Sequence, residues 1–357
     1  MILRDTLEHL LSGKSLSEAE AGDLLRAIVG SGRVGSEKVG SEVAGVEMPP
    51  ALAGALLAAL RSKGVTADEV RGFARAMRAL ARRPAIPQGS RAIDIVGTGG
   101  DSSGSFNLST GAALLTAACG IDVVKHGNRS VSSKSGSADV LEQLGLKLPL
   151  DEAAAGACLA ATKFTFLFAP HYHPAMKAIG PIRQAMGVRT VFNILGPLTN
   201  PAAPLFQLTG AFNLPTAQLM AETLSGLPIE RAFVVHGAEG WDEPTPLGPF
   251  TVLDVRPGQV KAEMRSPLDY GLDLCGARDL AGGDAAANAK ALRAVLEGAD
   301  QGPHRDALLL GTALALEVVG RVDNPRDGVA LAKQAIDSGA ARKTLDALAA
   351  FGKGAGL

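Results

Sequence analysis

The chain has 357 residues, 46% of them hydrophobic, and a formal net charge of −1 at pH 7. That length exceeds the roughly 100–200 residues of a typical domain and points to two packed lobes, while the near-neutral balance excludes bulk electrostatic attraction to nucleic acid or an anionic membrane. Cys119, Cys158 and Cys275 are odd in number, widely spaced and free of CxxC pairing, which argues against a disulfide framework or a zinc site and suits a reducing cytoplasm.

Acidic residues run through Met1 to Glu20 without an apolar export core, so no secretion signal is expected. The first ninety residues read as helices. Leu3 to Leu11 is followed by a segment opened by Ser15 with Glu18 three residues on, a capping-box pattern that recurs at Thr66 and Glu69. After Thr66, Arg71, Arg75, Arg78 and Arg82 fall at spacings of four, three and four on one helix face, read as a solvated face in preference to a nucleic-acid surface. Ser31 to Gly45 holds Val-Gly-Ser-Glu twice, at 34–37 and 39–42, and reads as a mobile loop.

From Arg91 the pattern changes. Ala92 to Val96 is a buried-strand run, a glycine-rich turn follows, Ser109 to Cys119 is helical and Ile121 to Val124 is strand again, together a βαβ unit. The apolar stretch Ala153 to Pro170 is broken by Lys163 and divides into a helix and the strand-like Phe164–Phe168, so no membrane span is expected. Strand-like runs recur at Leu205–Phe212, Ala232–His236 and Phe250–Val255, and three helices are expected from Ala285 onward. The fold class is α/β: a helical lobe over residues 1–90 and an α/β lobe over 91–357.

Four constellations carry chemistry. Gly97-Thr98-Gly99-Gly100-Asp101 ends a strand, and Ser105-Phe106-Asn107-Leu108-Ser109-Thr110 opens a helix. Glycines permit positive φ and close backbone approach, and the helix N-terminus favours phosphate, although neither Walker A nor G-x-G-x-x-G spacing is present. Lys125-His126-Gly127-Asn128-Arg129 follows the next strand and leads through Ser132, Ser133, Ser135 and Ser137 to a helix near Ala138. In a parallel sheet both loops share one edge, where two cations and several hydroxyls would face a polyanion.

Third, Asp242-Glu243 follows a strand within His236–Glu243, an arrangement suited to Mg²⁺ shared with substrate phosphates. Fourth, Arg183 lies in a helical stretch and offers a bidentate fork for a carboxylate. His171 and His173 lack a third ligand nearby, which argues against a metal there.

Gly97–Asp101, Asn107–Thr110, Lys125–Arg129, Ser135–Glu142 and Asn193–Pro201 resemble the signature segments of the anthranilate phosphoribosyltransferase family. The resemblance implies a cytoplasmic, Mg²⁺-dependent homodimer whose helical lobe, joined by helices of about 172–200, hinges on an α/β lobe with a mainly parallel sheet of the nucleoside phosphorylase/phosphoribosyltransferase type. The active cleft would lie between them. The implied substrates are anthranilate and 5-phosphoribosyl 1-diphosphate, with no nucleic acid or membrane partner.

By the same resemblance Gly97, Gly100, Asp101, Ser105, Asn107, Leu108, Ser109, Thr110, Lys125, His126, Gly127, Asn128, Arg129, Ser132, Ser133 and Ser137 are expected to contact the phosphoribosyl donor. Gly97, Asn128 and Arg183 are expected at anthranilate, and Ser109, Asp242 and Glu243 at the metal. His126 is a candidate proton acceptor. Two departures stand out: the Val-Gly-Ser-Glu loop looks inserted, and Trp241 replaces the family's usual leucine, where a larger ring could reshape the cleft. The rival readings are a pyrimidine nucleoside phosphorylase-like enzyme and a non-catalytic, nucleic-acid-binding relative that would use the arginine stripe.

Overall fold

The computed structural model describes residues 3–30, 48–86, 90–101, 103–130 and 134–354, so the Val-Gly-Ser-Glu loop, Ser132 and Ser133 lie outside the described residues. Two compact units are present, Met1–Arg82 with Pro170–Pro201, and Arg83–Ala169 with Ala202–Leu357. In chain order the main elements are α1 (Leu3–Leu11), α2 (Glu18–Val29), α3 (Pro50–Lys63), α4 (Ala67–Leu80), β1 (Ile93–Gly97), α5 (Leu108–Ala118), β2 (Val123–Gly127), α6 (Ser137–Gln143), α7 (Glu152–Thr162) and β3 (Phe164–Phe168). There follow α8 (Ala169–Tyr172), α9 (Met176–Met186), α10 (Phe192–Leu195), β4 (Phe206–Gly210), α11 (Leu214–Ser225), β5 (Arg231–His236), β6 (Phe250–Arg256) and β7 (Gln259–Arg265). The chain closes with α12 (Ala285–Leu296), α13 (Pro303–Val318), α14 (Pro325–Asp337) and α15 (Ala340–Gly354).

The first unit is helical. Its capping box at α2 is formed by Ser17 and Glu20, not by Ser15 and Glu18: the Ser17 N–H donates to the Glu20 carboxylate at 2.9 Å and the Glu20 N–H to the Ser17 hydroxyl at 3.3 Å. Both pairs satisfy the spacing, and tertiary structure chooses, because Glu18 is drawn to Arg71 and Arg75 at 3.3 and 2.6 Å. The box at Thr66 and Glu69 forms as expected, and the buried Glu69 also accepts from the Leu16 N–H and from Lys63 Nζ, both at 2.9 Å. Helices α2 and α4 meet at Gly72, where a β-carbon would lie 2.1 Å from the Glu18 carbonyl. The arginine stripe is thus partly spent inside the unit: besides the pairs of Arg71 and Arg75, Arg78 donates to the Leu198 carbonyl at 2.9 Å. Arg71 and Arg78 are only partly exposed while Arg75 and Arg82 are exposed, so the stripe is in part the solvated face expected.

The second unit is built on a seven-stranded sheet in the order β3-β2-β1-β4-β5-β6-β7. The first five strands of that order run parallel, and β6 and β7 extend the sheet antiparallel. Parallel strands are covered on both faces and read as continuous apolar runs, which is how β1 and β3 declare themselves. The order reverses direction at β1: β2 and β3 lie on one side of it and β4 on the other. Helix α5 is apolar all round because α12 and α13 press onto it; a β-carbon on Gly111 would meet Leu292 and Leu308 at 2.6 Å.

Three expectations shift. Strand β2 runs to Gly127, so Lys125 and His126 are strand residues; β7 is an additional edge strand; and four helices, not three, follow from Ala285. At the antiparallel end the guanidinium groups of Arg231 and Arg265 both lie over the Phe233 ring, 4.7 and 5.0 Å from its centroid. Arg231 grips Asp254 through two bonds of 3.0 and 2.7 Å, and Arg265 grips Glu317 through two of 2.6 and 2.9 Å.

Candidate active site

The carboxyl ends of β1 and β4 mark the reversal in strand order, the usual ligand position in open α/β sheets. Gly97 and Gly210 are register partners there. Both lack a side chain for a physical reason: a β-carbon on Gly97 would lie 2.5 Å from Asp242 Oδ2, and one on Gly210 would lie 1.4 Å from the Asp242 carbonyl. Gly237 makes the third wall, since its β-carbon would lie 2.2 Å from the Glu243 carbonyl. The Asp242-Glu243 segment is therefore seated in a slot that only glycines can provide.

From this seat Asp242 Oδ2 accepts from the Gly99 N–H and from the Thr98 hydroxyl at 3.3 Å, and the Asp242 N–H donates to Asp101 Oδ2 at 3.3 Å. The turn can present those amides because Gly99 and Gly100 hold φ of 68° and 76°. Asp101 Oδ1 accepts from the Ser103 N–H and hydroxyl at 3.1 and 3.0 Å. Ser109 lies beside Glu243, and Lys125 Nζ donates to the Ser109 hydroxyl at 3.2 Å and to the Ile95 carbonyl. Lys125 is only 1% exposed, so it does not reach into an open loop; it is a buried cation beneath Ser109.

Burial raises the Asp242 carboxyl well above the ordinary range, and the nearby charges of Glu243 and Asp101 push the same way. Burial also raises Glu243, opposed by the charge of Lys125 and the hydrogen bond from Ser109, while burial lowers the Lys125 ammonium. Closely set acids on oxygen donors suit a hard divalent ion, whose charge would relieve their repulsion. Among the described residues no group of three or more His, Cys, Asp and Glu side chains is arranged to hold a metal ion. An ion here would complete its shell with the Ser109 hydroxyl, ligand oxygens and water. These donors fit Mg²⁺ and not zinc.

His126 lies within β2 and is 4% exposed, its N–H donating to the buried Asp94 carboxylate at 3.2 Å. Successive strand residues face opposite sides of a sheet, so with Lys125 turned toward Ser109, His126 is turned the other way. The two side chains do not share one face toward the glycine turn. Arg129 is likewise committed: its guanidinium bonds Asp139 at 3.0 Å and Glu142 twice at 2.6 Å. Asp139 also accepts from the Ser130 and Gly136 N–H groups at 3.0 and 2.9 Å, fastening the base of the loop after β2. Asn128 is exposed beside it, and Ser137 opens α6 partly exposed.

Ser105, Asn107 and Ser109 are partly exposed along the same turn, whereas Leu108 and Thr110 are buried and contribute to the core under it. Trp241 is 5% exposed, built into the interior, so the larger ring does not stand in open space beside the acidic pair. In the first unit, Arg183 of α9 lies over the Phe192 ring at 5.5 Å. Gly210, Asp94, Asp139 and Asn288 of α12 escaped the sequence reading. A glycine inside a strand run and an aspartate inside an apolar one were the available signals for the first two.

The helical bundle and the sheet unit match the two parts of a glycosyl transferase family: its helical bundle domain over residues 4–81 and its a/b domain over residues 89–342. The class is that of a glycosyl transferase. An anthranilate phosphoribosyltransferase of Desulforudis audaxviator is 46% identical over 352 residues, 98% of this chain and 96% of that protein, and one of Rhodospirillum rubrum is 46% identical over 343 residues, 96% and 94% of the two chains. The crystal structure of anthranilate phosphoribosyltransferase from Thermus thermophilus superposes with a TM-score of 0.88 at 39% identity, covering 98% of this chain and 99% of that one. The Saccharomyces cerevisiae enzyme in complex with PRPP and Mg superposes with a TM-score of 0.85 at 27% identity over 98% of both chains. The chain belongs to the anthranilate phosphoribosyltransferase family.

Proposed function

We propose that this protein transfers the phosphoribosyl group of 5-phosphoribosyl 1-diphosphate to the amine of anthranilate, releasing diphosphate and forming N-(5-phosphoribosyl)anthranilate. The observation that carries the reading is the seating of Asp242-Glu243 by glycines directly against an amide-rich strand-to-helix turn, with Lys125 and Ser109 beneath. That combination suits a diphosphate and its counter-ion.

Ser109, Asp242 and Glu243 would hold Mg²⁺, which when bound supplies charge neutralisation for the departing diphosphate. Gly97, Gly100, Asp101, Ser105, Asn107 and Ser137 would line the donor, with backbone amides of the glycine turn orienting phosphate oxygens. Lys125 offsets the acids from below without occupying the donor's space. Asn128 and Arg183 are assigned to anthranilate, Arg183 through its planar fork for a carboxylate. No side chain is assigned as a general base, since the neutral aromatic amine can attack unaided and positioning provides the acceleration.

Homodimeric assembly and a cytoplasmic location belong to the same proposal, supported by family membership and, for the latter, by three free cysteines. Arg71, Arg75 and Arg78 of the arginine stripe are engaged within their own unit, which lends no support to a nucleic-acid-binding reading. The test is the fall in anthranilate fluorescence on mixing with 5-phosphoribosyl 1-diphosphate and Mg²⁺. Turnover that needs every component, and is lost in an Asp242→Asn/Glu243→Gln variant, supports the proposal. Folded protein that binds the donor but leaves anthranilate untouched would redirect it to another aromatic acceptor.

A further inference from the structure

Asparagine is among the strongest N-cap residues, its side-chain oxygen ordinarily taking the N2 or N3 amide of the helix it opens. Asn107 stands at the N-cap of α5, yet its side chain makes no capping bond. The side chain is turned away from the helix it opens, and α5 is left without a side-chain cap.

Three hydrogen bonds explain the diversion. The Gly283 N–H donates to Asn288 Oδ1 at 2.7 Å, Asn288 Nδ2 donates to Asn107 Oδ1 at 2.8 Å, and Asn107 Nδ2 donates to the Ser135 carbonyl at 3.3 Å. Their direction is forced. A backbone N–H can only donate, so Asn288 turns its oxygen to Gly283 and its amide nitrogen to Asn107, which then has its own nitrogen left for Ser135. Asn288 is 3% exposed, so water does not compete for these bonds.

The segment ahead of Asn288 is itself strapped to the turn. The Phe106 N–H donates to the Leu280 carbonyl at 3.1 Å and the Gly282 N–H to the Gly104 carbonyl at 2.8 Å. A β-carbon on Gly282 would lie 2.5 Å from the Ser105 carbonyl, so the strap lies flat on the turn only because residue 282 is glycine.

We propose that Asn288 is a positioning residue for the donor and metal site: by holding the Asn107 side chain toward Ser135, it keeps that side chain off the first-turn amides of α5 and ties the turn after β1 to Ser135 beyond β2. The inference rests on the phosphoribosyl-transfer reading for its kinetic consequence, but not for its structural one. Without Asn288, Asn107 swings back to cap its own helix and covers the first-turn amides that would otherwise face the donor.

Asn288→Ala tests this in two ways. A crystal structure of the variant is expected to show the Asn107 side chain bonded to the Ser109 or Thr110 N–H; an Asn107 still bonded to Ser135 overturns the proposal, whatever the protein's substrate. The KM for 5-phosphoribosyl 1-diphosphate is expected to rise roughly five- to tenfold, the equivalent of one capping bond, with kcat little changed. In an Asn107→Ala background the competing cap is gone, so adding Asn288→Ala should change KM no further; multiplying effects would overturn the proposal. Where alanine unfolds the protein, Asn288→Ser, one atom shorter and still offering a hydroxyl, replaces it in the same measurements. Wild-type protein that fails to bind the donor in calorimetry counts against the functional reading alone, and the crystal structure still decides the positioning role.

Discussion

The carbonyl oxygen of Asp242 lies 1.4 Å from where a β-carbon on Gly210 would be, so the acidic loop and the end of β4 fit together only because residue 210 is glycine. Gly210→Ala must therefore push the Asp242-Glu243 backbone off its seat. Turnover is expected to fall by more than about a hundredfold, with a stability loss of several kcal/mol by steric displacement of buried backbone. Gly97→Ala differs, because its close contact is with the Asp242 carboxylate, 2.5 Å away, while the backbone carbonyl lies at 3.4 Å. Its expected signature is a raised Mg²⁺ requirement with a small change in Tm, and steady-state kinetics beside calorimetry separate the two.

Glu69 holds the first unit from within. Replacing it with alanine strips the Leu16 and Thr66 N–H groups of their acceptor and leaves Lys63, itself 6% exposed, without its ion pair. Removing one partner of such a pair costs about 3–5 kcal/mol. Urea unfolding of Glu69→Ala against wild type reads that loss, and a change below about 1 kcal/mol would show that water reaches Lys63.

The Arg265–Glu317 pair makes a comparable case in the second unit, with side chains 13% and 10% exposed. Glu317→Ala is expected to destabilise by about 1–3 kcal/mol, because it removes the bidentate partner of Arg265 while Glu263, 3.0 Å away, still pairs with the guanidinium. The double variant Arg265→Met/Glu317→Leu should cost clearly less than the sum of its single changes, a coupling that denaturant titrations measure directly.

His173 sets a pH dependence of folding. Burial pushes its imidazole down to about 4 from 6.5, against a hydrogen bond with the Thr199 backbone that raises it. Between those values the unfolded chain takes up a proton that the folded chain refuses. Stability from this group is therefore complete above about pH 6.5, falls as pH drops toward 4 and levels off below, by roughly 3 kcal/mol in all. Urea midpoints across that range should slope less steeply in His173→Gln than in wild type.

Arg183→Ala tests the carboxylate assignment. The KM for anthranilate is expected to rise at least about tenfold, as for loss of a charge-assisted bidentate contact, while the KM for 5-phosphoribosyl 1-diphosphate stays within about twofold. Equal damage to both would move Arg183 from recognition to support of α9.

What the sequence could disclose followed from local chemistry. The strands β1 and β3, the glycine turn and the Thr66 cap are readable because each is a short pattern whose cause lies within a few residues. Strand β7 is not, since Gln259 to Arg265 mixes Lys261, Glu263 and Arg265 with few apolar residues on an exposed edge. The same holds in the candidate site. Ser109, Lys125, Asp242 and Glu243 do meet, but the commitment of Arg129 to Glu142, the burial of Lys125 and the part played by Gly210 and Asn288 depend on partners brought in by tertiary structure. No spacing rule reports them. Ser15 and Ser17 show the limit most simply: two equal local patterns, decided by what Glu18 touches in α4.

Asp101 and Asn107 bond to Asp242 and Asn288 across 141 and 181 residues of chain. On the ribosome, β1 and its glycine turn leave the exit tunnel long before either partner has been made. The turn therefore waits, glycine-rich and unbraced, through the synthesis of four more strands of the parallel sheet until Asp242 is made, and through the two that extend it until Asn288 is made. A chain released after β7 would carry the whole sheet and the acidic pair, yet lack the strap that holds Asn107 in place. The last piece of the proposed donor site to be translated is α12, the helix that carries Asn288.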